Sequence, residues 1–386
     1  MGSRLSVRRL LLCCAVSSLA LQPAGLPPRC LERCPTVVAS ARRKGKSAAK
    51  ASKAKRPAPV AKGFAPRAAG SVGVPLQDAL YDALYAWLGT SPLTDVAKVG
   101  LASFGGMRGV QALQNIGVGE EIVAIPAELA IDLGTGSDDP VPAALKLLSR
   151  RDADARTNPG RAAYWAVLPP PDSDDLCTPD FFSEKSLQML QWPPLVVETR
   201  RRSAAQRKAL GAAAPSGDTA GGALAAAGGG LRELRWATWL VLSRVLTVLG
   251  PDGQGHKLMI PFLDMFNHEA SSKHYLTGRT DGMLKVVAGA PIRAGEQIFI
   301  VYGDAKTSNV ELAAHYGFVD SASQAAQAAD RALVRSSPDA VAALRHTSAE
   351  EDRAALAAEP PLIYQERLAI GLRLALKKAA AREGVL

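Results

Sequence analysis

Asp264, Asn267 and His268 fall within five residues, directly after the apolar run Pro261-Phe262-Leu263. An acid, an amide and an imidazole so close together can bind a polar ligand, pass a proton or hold a metal. They can equally form a turn in which Asp and Asn bond their own backbone. The five histidines, at 256, 268, 274, 315 and 346, show no metal-ligand spacing such as H-E-x-x-H. No G-x-S-x-G elbow offers a serine nucleophile, and no G-x-G-x-x-G offers a dinucleotide loop. A second group follows in Glu296-Gln297-Ile298-Phe299-Ile300-Val301-Tyr302-Gly303. Taken alone, a tyrosine at such a strand end is most often a packing residue.

The elements that must position these residues are short. Leu76, Leu80, Leu84 and Leu88 recur every four residues and predict an amphipathic helix that Pro92 stops. Val99 to Ile131 reads as strands, and Val141 to Arg151 as a short helix. Phe181 to Thr199 is expected to be partly helical and broken at Pro193-Pro194. Leu231 to Leu249 predicts a longer helix, whose Arg235 and Arg244 argue against a membrane span. Leu258 to Tyr302 returns to short strands, and Ala322 to Leu386 is Ala-rich and helical. Residues 211–230 are almost entirely Ala, Gly, Ser and Thr, too little apolar bulk to bury. One internal echo stands out. Asn115-Ile116-Gly117-Val118-Gly119-Glu120-Glu121-Ile122 resembles Pro291-Ile292-Arg293-Ala294-Gly295-Glu296-Gln297-Ile298. Each reads as a turn with Gly-Glu that launches a strand.

The chain has 386 residues, room for roughly two to three domains at about 150 residues each. Its net charge is +10, but 15 of its 46 basic residues and one of its 36 acids lie in residues 1–75. The remainder holds 31 basic against 35 acidic residues, so the body is mildly acidic and does not read as nucleic-acid binding. Four of the five cysteines also lie in residues 13–34, and Cys177 alone lies in the body, which excludes an internal disulfide there. Residues 1–21 have a signal-peptide layout: Arg4, Arg8 and Arg9, a short apolar run, then small residues. Residues 29–67 have transit-peptide composition. A two-part leader of this kind resembles those of proteins imported into plastids (chloroplasts) bounded by extra membranes. A mitochondrial or secretory route is the alternative. Arg42 to Arg56 also fits a nuclear-localisation tail, and the first six residues fit a loose myristoylation pattern.

Four stretches in order carry a family resemblance. The first is Gly105-Gly106-Met107-Arg108-Gly109-Val110 with Gly119-Glu120 to Pro126. The second is Trp165 to Pro169, with Phe181-Phe182-Ser183 and Leu187. The third is Asp264 to His268. The fourth is Gly295-Glu296 to Tyr302, with Ser308-Asn309-Val310-Glu311-Leu312 and Tyr316-Gly317-Phe318. Together they resemble a SET-domain protein methyltransferase, of the branch containing the Rubisco large-subunit lysine methyltransferase and the actin-histidine methyltransferase. Arg108 stands where that family often has a small residue, and the branch's C-terminal helical domain is shortened here.

The resemblance implies an α+β fold of short β-sheets with a pseudoknot. A targeting leader would occupy residues 1–72 and the SET domain 73–320. A helical insertion would span about 134–250, with low-complexity sequence at 203–230, and a shortened substrate-binding-like region would follow at 321–386. It implies S-adenosylmethionine as cofactor, no metal, and a protein substrate methylated on lysine, with Rubisco or another plastid protein as the family-level expectation. Methylation of histidine, or a catalytically silent binding module, is the alternative. A monomer without stable membrane association is expected. The lysine nitrogen must lose its proton, against an ordinary pKa of about 10.4, and then attack the sulfonium methyl in line. An apolar channel favours the neutral amine. By resemblance, Tyr302 would orient the nucleophile as the catalytic residue. Arg108, Gly109, Asn267, His268, Tyr316 and Phe318 would contact the cofactor, and Asp264 would brace the pseudoknot.

Overall fold

The computed structural model describes residues 73–135, 138–174, 176–211, 230–250, 253–278, 282–304 and 306–386. The leader expected at 1–72 and most of the low-complexity stretch, 212–229, lie outside the described residues. Within them the fold is α+β, with three small sheets and helices between and after them.

The first sheet orders its strands β1 (Val74–Pro75), β2 (Val99–Phe104), β3 (Met107–Ala112), β11 (Gln297–Ile300) and β8 (Asn267–His268). All its pairs are antiparallel except β11 with β8, which run parallel with Phe299 opposite Asn267 and Ile300 opposite His268. This parallel strap joins segments about thirty residues apart and is the local form of the expected pseudoknot. The second sheet is β4 (Glu121–Pro126), β10 (Met283–Val287) and β9 (Tyr275–Gly278), and the third is β5 (Ile131–Thr135), β7 (Gly255–Met259) and β6 (Val245–Leu249).

The two Gly-Glu turns lie side by side. Ile116 and Ile292 exchange both backbone hydrogen bonds, at 2.9 and 3.0 Å. Each turn has its glycine in the left-handed region, Gly119 at φ 81° and Gly295 at φ 87°. In each, the following glutamate accepts from a backbone N–H three residues earlier, Gly117 for Glu120 and Arg293 for Glu296. The echo in the sequence is therefore a repeated turn that starts both β4 and β11.

Helix α1 (Ala79–Leu88) is capped by Asp78 and buries Leu84, Trp87 and Leu88, whereas Leu80 of the expected series is exposed and Leu76 lies before the helix. Helix α2 (Pro140–Thr157) runs two turns beyond the expected segment, and α3 (Pro159–Val167) follows. Helices α4 (Glu184–Met189) and α5 (Pro193–Gly211) leave the segment partly helical and interrupted just before Pro193-Pro194, which then start α5, since the first turn needs no backbone donor there. Residues 203–211, expected as low-complexity sequence, are the end of α5, and buried Gln206 donates to Thr238 at 3.0 Å. Helix α6 (Leu231–Arg244) stops five residues early. Val245, Thr247 and Val248 are β-branched and continue as β6, paired with β7.

The C-terminal part comprises α7 (Asn309–Tyr316), α8 (Gln324–Ser336), α9 (Pro338–Ala343), α10 (Ala349–Ala357) and α11 (Tyr364–Arg382). Ser308 and Glu311 form a capping box on α7, and Ser348 and Glu351 form another on α10. There are two main cores. The larger joins the sheets with α1, α2, α3 and α6. The second joins Leu187, Leu190, Trp192 and Leu195 of the insertion to Val334, Leu368, Leu372 and Leu376. Part of the insertion thus shares its core with the C-terminal helices.

That second core is riveted by ions. Asp352 is fully buried and holds Arg373 Nη2 at 2.6 Å and Lys377 Nζ at 2.7 Å. Lys377 also donates to the Thr347 carbonyl at 2.6 Å, and Arg373 to the Met189 carbonyl at 2.9 Å. Burial alone would raise the Asp352 carboxyl, but the two cations hold it below its ordinary value. Asp352→Ala leaves two buried cations without their acid and should cost about 3–5 kcal/mol in urea unfolding. His315 gives a second prediction. Burial, then Arg202 beside it, pushes its imidazole down to about 4. Below pH 6.5 the unfolded chain takes up a proton that the folded chain refuses, so this group removes stability as pH falls from 6.5 toward 4. Against His315→Gln, the wild-type unfolding free energy should fall more steeply across that window.

Candidate functional site

The strained turn before β8 sets the site. Phe262 is fully buried with φ 71°, a left-handed backbone that costs a bulky residue about 1–3 kcal/mol. The turn Leu263–Met265 follows and delivers Asp264 into the interior. The Asp264 side chain is 1% exposed. Its Oδ2 accepts from the Tyr164 hydroxyl of α3 at 2.9 Å and from Arg244 Nη1 of α6 at 3.4 Å. Arg244 Nη1 also donates to the Asp264 carbonyl at 2.8 Å. Burial raises the Asp264 carboxyl above its ordinary value, against the opposing pull of Arg244 and Arg108.

Asn267 crosses between strands. Its Nδ2 donates to the Arg108 carbonyl at 2.7 Å and ties β8 to β3. A Cβ at Gly109 would run into the Gln297 and Asn267 side-chain amides, so a larger residue there would have to displace them. Arg108 itself donates from Nη1 to the Val167 carbonyl.

His268, Tyr302, Tyr316 and Phe318 come together as a box of rings. Tyr302 lies 4.6 Å from Tyr316, 5.3 Å from His268 and 6.5 Å from Phe318 between ring centroids. His268 and Phe318 lie 5.4 Å apart. The Tyr302 N–H donates to His268 Nδ1 at 3.0 Å, so that nitrogen is an acceptor and the neutral ring carries its proton on Nε2. The Tyr302 hydroxyl donates to the Phe266 carbonyl at 2.6 Å. Desolvation pushes this hydroxyl well above its ordinary pKa, with Tyr316 adding to the shift and Arg244 opposing it. At neutral pH it is a hydrogen-bond donor and not a base. Cys177 packs where a Gly317 side chain would lie, between Tyr316 and Phe318 in sequence, and the Tyr364 hydroxyl of α11 donates to the Gly317 carbonyl.

The fold therefore gathers every sequence-predicted residue around β3, β8 and the end of β11. Three partners were not singled out from the sequence for this role. Arg244 was read only as a charge in an apolar helix, and that position was its available signal. Tyr164 and Asp320 carried none, being 100 and 52 positions from the residues they meet. Among the described residues no cluster of His, Cys, Asp or Glu suits a metal, and no helix is long and apolar enough to cross a membrane.

No protein-family model matches the chain. A 92-residue stretch is 36% identical to the actin-histidine N-methyltransferase of Drosophila melanogaster, covering 22% of this chain and 17% of that protein. The match thus spans less than a fifth of that relative's length. Among solved structures, the SET domain of LSMT bound to lysine and AdoHcy aligns at a TM-score of 0.57 with 17% identity, over 79% of this chain and 90% of that one. Rubisco LSMT bound to AdoMet aligns at 0.57 with 16% identity, over 79% and 92%. At such identity the likeness is one of fold: this chain has the SET-domain fold, and it resembles the methyltransferase branch to which the motif order points.

Proposed function

We propose that the chain is an S-adenosylmethionine-dependent protein-lysine N-methyltransferase. One observation carries the reading. Tyr302, the strand-ending tyrosine, stands with its hydroxyl on the Phe266 carbonyl inside a box of His268, Tyr316 and Phe318, next to Asn267. Two structures with this fold were solved with AdoMet or AdoHcy, one of them with lysine.

The residues present fit such a cofactor. Arg244 Nε and Trp239 Nε1 are buried donors, and Asp264 Oδ1 a buried acceptor, without protein partners. Donors and an acceptor together suit an amino-acid end that carries both a carboxylate and an ammonium group. In this reading Asn267 holds that end, and Arg108 and Gly109 lie along it. His268 and Phe318 face the adenine side, with Tyr316 between cofactor and substrate. When bound, S-adenosylmethionine supplies an electrophilic methyl group. The protein aligns the nitrogen nucleophile with it, and alignment of reactants is worth roughly 7–11 kcal/mol. The surrounding rings exclude water and so favour the neutral amine. Tyr302, with its hydroxyl proton on the Phe266 carbonyl, accepts from an N–H of the nucleophile and so orients it, while the proton lost by the ammonium goes to solvent. The substrate is a protein, with Rubisco or another plastid protein as first candidates. The region 321–386 serves as a shortened substrate-binding region, the enzyme works as a monomer, and the leader directs it to a plastid.

A second reading is histidine methylation, favoured by the 36% match to an actin-histidine N-methyltransferase. Labelled-methyl transfer decides between them. Residues 72–386 and Tyr302→Phe would be incubated with labelled S-adenosylmethionine and a plastid extract. The expected result is a labelled band whose rate falls about a hundredfold or more in the variant, with cofactor binding retained. Methyl-lysine in that band supports the first reading, and methyl-histidine the second. Cofactor binding with no transfer to any protein would instead indicate a silent binding module. Sequencing the mature protein should find its N-terminus near residue 72, and an intact leader would refute import.

A further inference from the structure

Beyond the ring box, one buried chain of polar contacts runs from the C-terminal helices to Tyr302. Asp330 of α8 is 1% exposed and Asn309, the first residue of α7, is fully buried. Asn309 donates to both Asp330 oxygens, from its backbone N at 2.9 Å and from Nδ2 at 2.7 Å. Its own Oδ1 accepts from the Asp320 N–H at 2.7 Å. The Asp320 carboxylate is fixed in turn. Its Oδ1 accepts from the N–H groups of Ala322 and Ser323, at 3.1 and 3.0 Å, at the start of α8. Its Oδ2 faces His268 Nε2 at 3.6 Å.

That distance is beyond a hydrogen bond but within the reach of charge on an N–H dipole, and catalytic contacts commonly tighten when a site is filled. The Nε2 atom is buried and has no other protein partner. The ring's other nitrogen already accepts from Tyr302 N–H. A proton moved to Nδ1 would point at that N–H and would leave the Asp320 charge facing a lone pair. The carboxylate thus favours the one tautomer that can hold the Tyr302 backbone.

We propose that Asp320 is a positioning residue for the active site: its carboxylate holds His268 with the proton on Nε2, and through Nδ1 this fixes the backbone that carries Tyr302. Asn309 and Asp330 set the Asp320 backbone, so the C-terminal helices act on the reacting centre without touching it. This rests on the reading of Tyr302 as the residue that orients the nucleophile.

The test uses imidazole nitrogen NMR on the full chain with ¹⁵N-labelled histidine, the His268 signals assigned by their loss in His268→Gln. Wild type should show one bare Nδ1 and one protonated Nε2. In Asp320→Ala those signals should move together as the tautomers mix. The turnover rate in the labelled-methyl assay should fall at least tenfold, while cofactor affinity changes less than threefold. Asp320→Asn removes the charge and can turn an amide N–H toward Nε2, so it should lose the wild-type signature and the rate as Asp320→Ala does. Averaged nitrogens in the wild type would overturn the proposal. So would an Asp320→Ala variant with unchanged spectrum and rate, or an Asp320→Asn variant with the wild-type spectrum and rate. If Asp320→Ala does not fold, the wild-type and Asp320→Asn spectra decide. If no methyl is transferred at all, the reading of the enzyme fails while the spectra still decide the role of Asp320.

Discussion

Almost everything at this site hangs on one dry carboxylate. Asp264 has water removed from it and is offset by a cation from α6 and a hydroxyl from α3. Taking a charge out of water is expensive unless partners replace the lost solvation. Those partners come from the helical insertion, whereas Asp264 comes from the strand region. The pair therefore ties two parts of the fold that the chain could otherwise let slide. The strained Phe262, buried with its ring against Tyr85, leads into the turn that carries Asp264 inward before β8 runs on to Asn267 and His268.

The C-terminal helices are less of an appendage than their sequence implies. Their core includes Leu187, Leu190, Trp192 and Leu195 from the insertion, and α7 reaches the ring box through Tyr316. The Asp352 rivet closes the far side of this core and also reaches back to Met189. A mildly acidic body can thus carry buried cations where each is matched by an acid or by carbonyl groups.

How much of this could be read from the sequence depended on the range of the interaction. Helix α1 was legible because Leu84 and Leu88 repeat with the helix period, whereas its cap at Asp78 showed only in the structure. The paired Gly-Glu turns were legible as turns, but their contact through Ile116 and Ile292 was not, since it joins segments far apart in the chain. The end of α6 was misjudged because Leu246 and Leu249 continue a helical spacing while Val245, Thr247 and Val248 favour a strand, and pairing with β7 settles the matter. At the site, Asn267, His268 and Tyr302 were recognisable from order and type. Arg244, Tyr164 and Asp320 were not, because an arginine, a tyrosine or an aspartate acquires its role only from what the fold brings beside it.

The third sheet has one further implication. The insertion leaves the strand region after β5 and returns through β6, and both strands flank β7 in the same small sheet. Its two ends are pinned two strand spacings apart, roughly 10 Å. A segment anchored in that way behaves as a closed loop whose ends never separate, and the entropy of closing a loop grows only slowly with its length. The other two sheets therefore see a fixed pair of anchor points, however many residues lie between them. Long Ala- and Gly-rich sequence can be accommodated at 212–229 without altering the spacing that the anchors impose on β7.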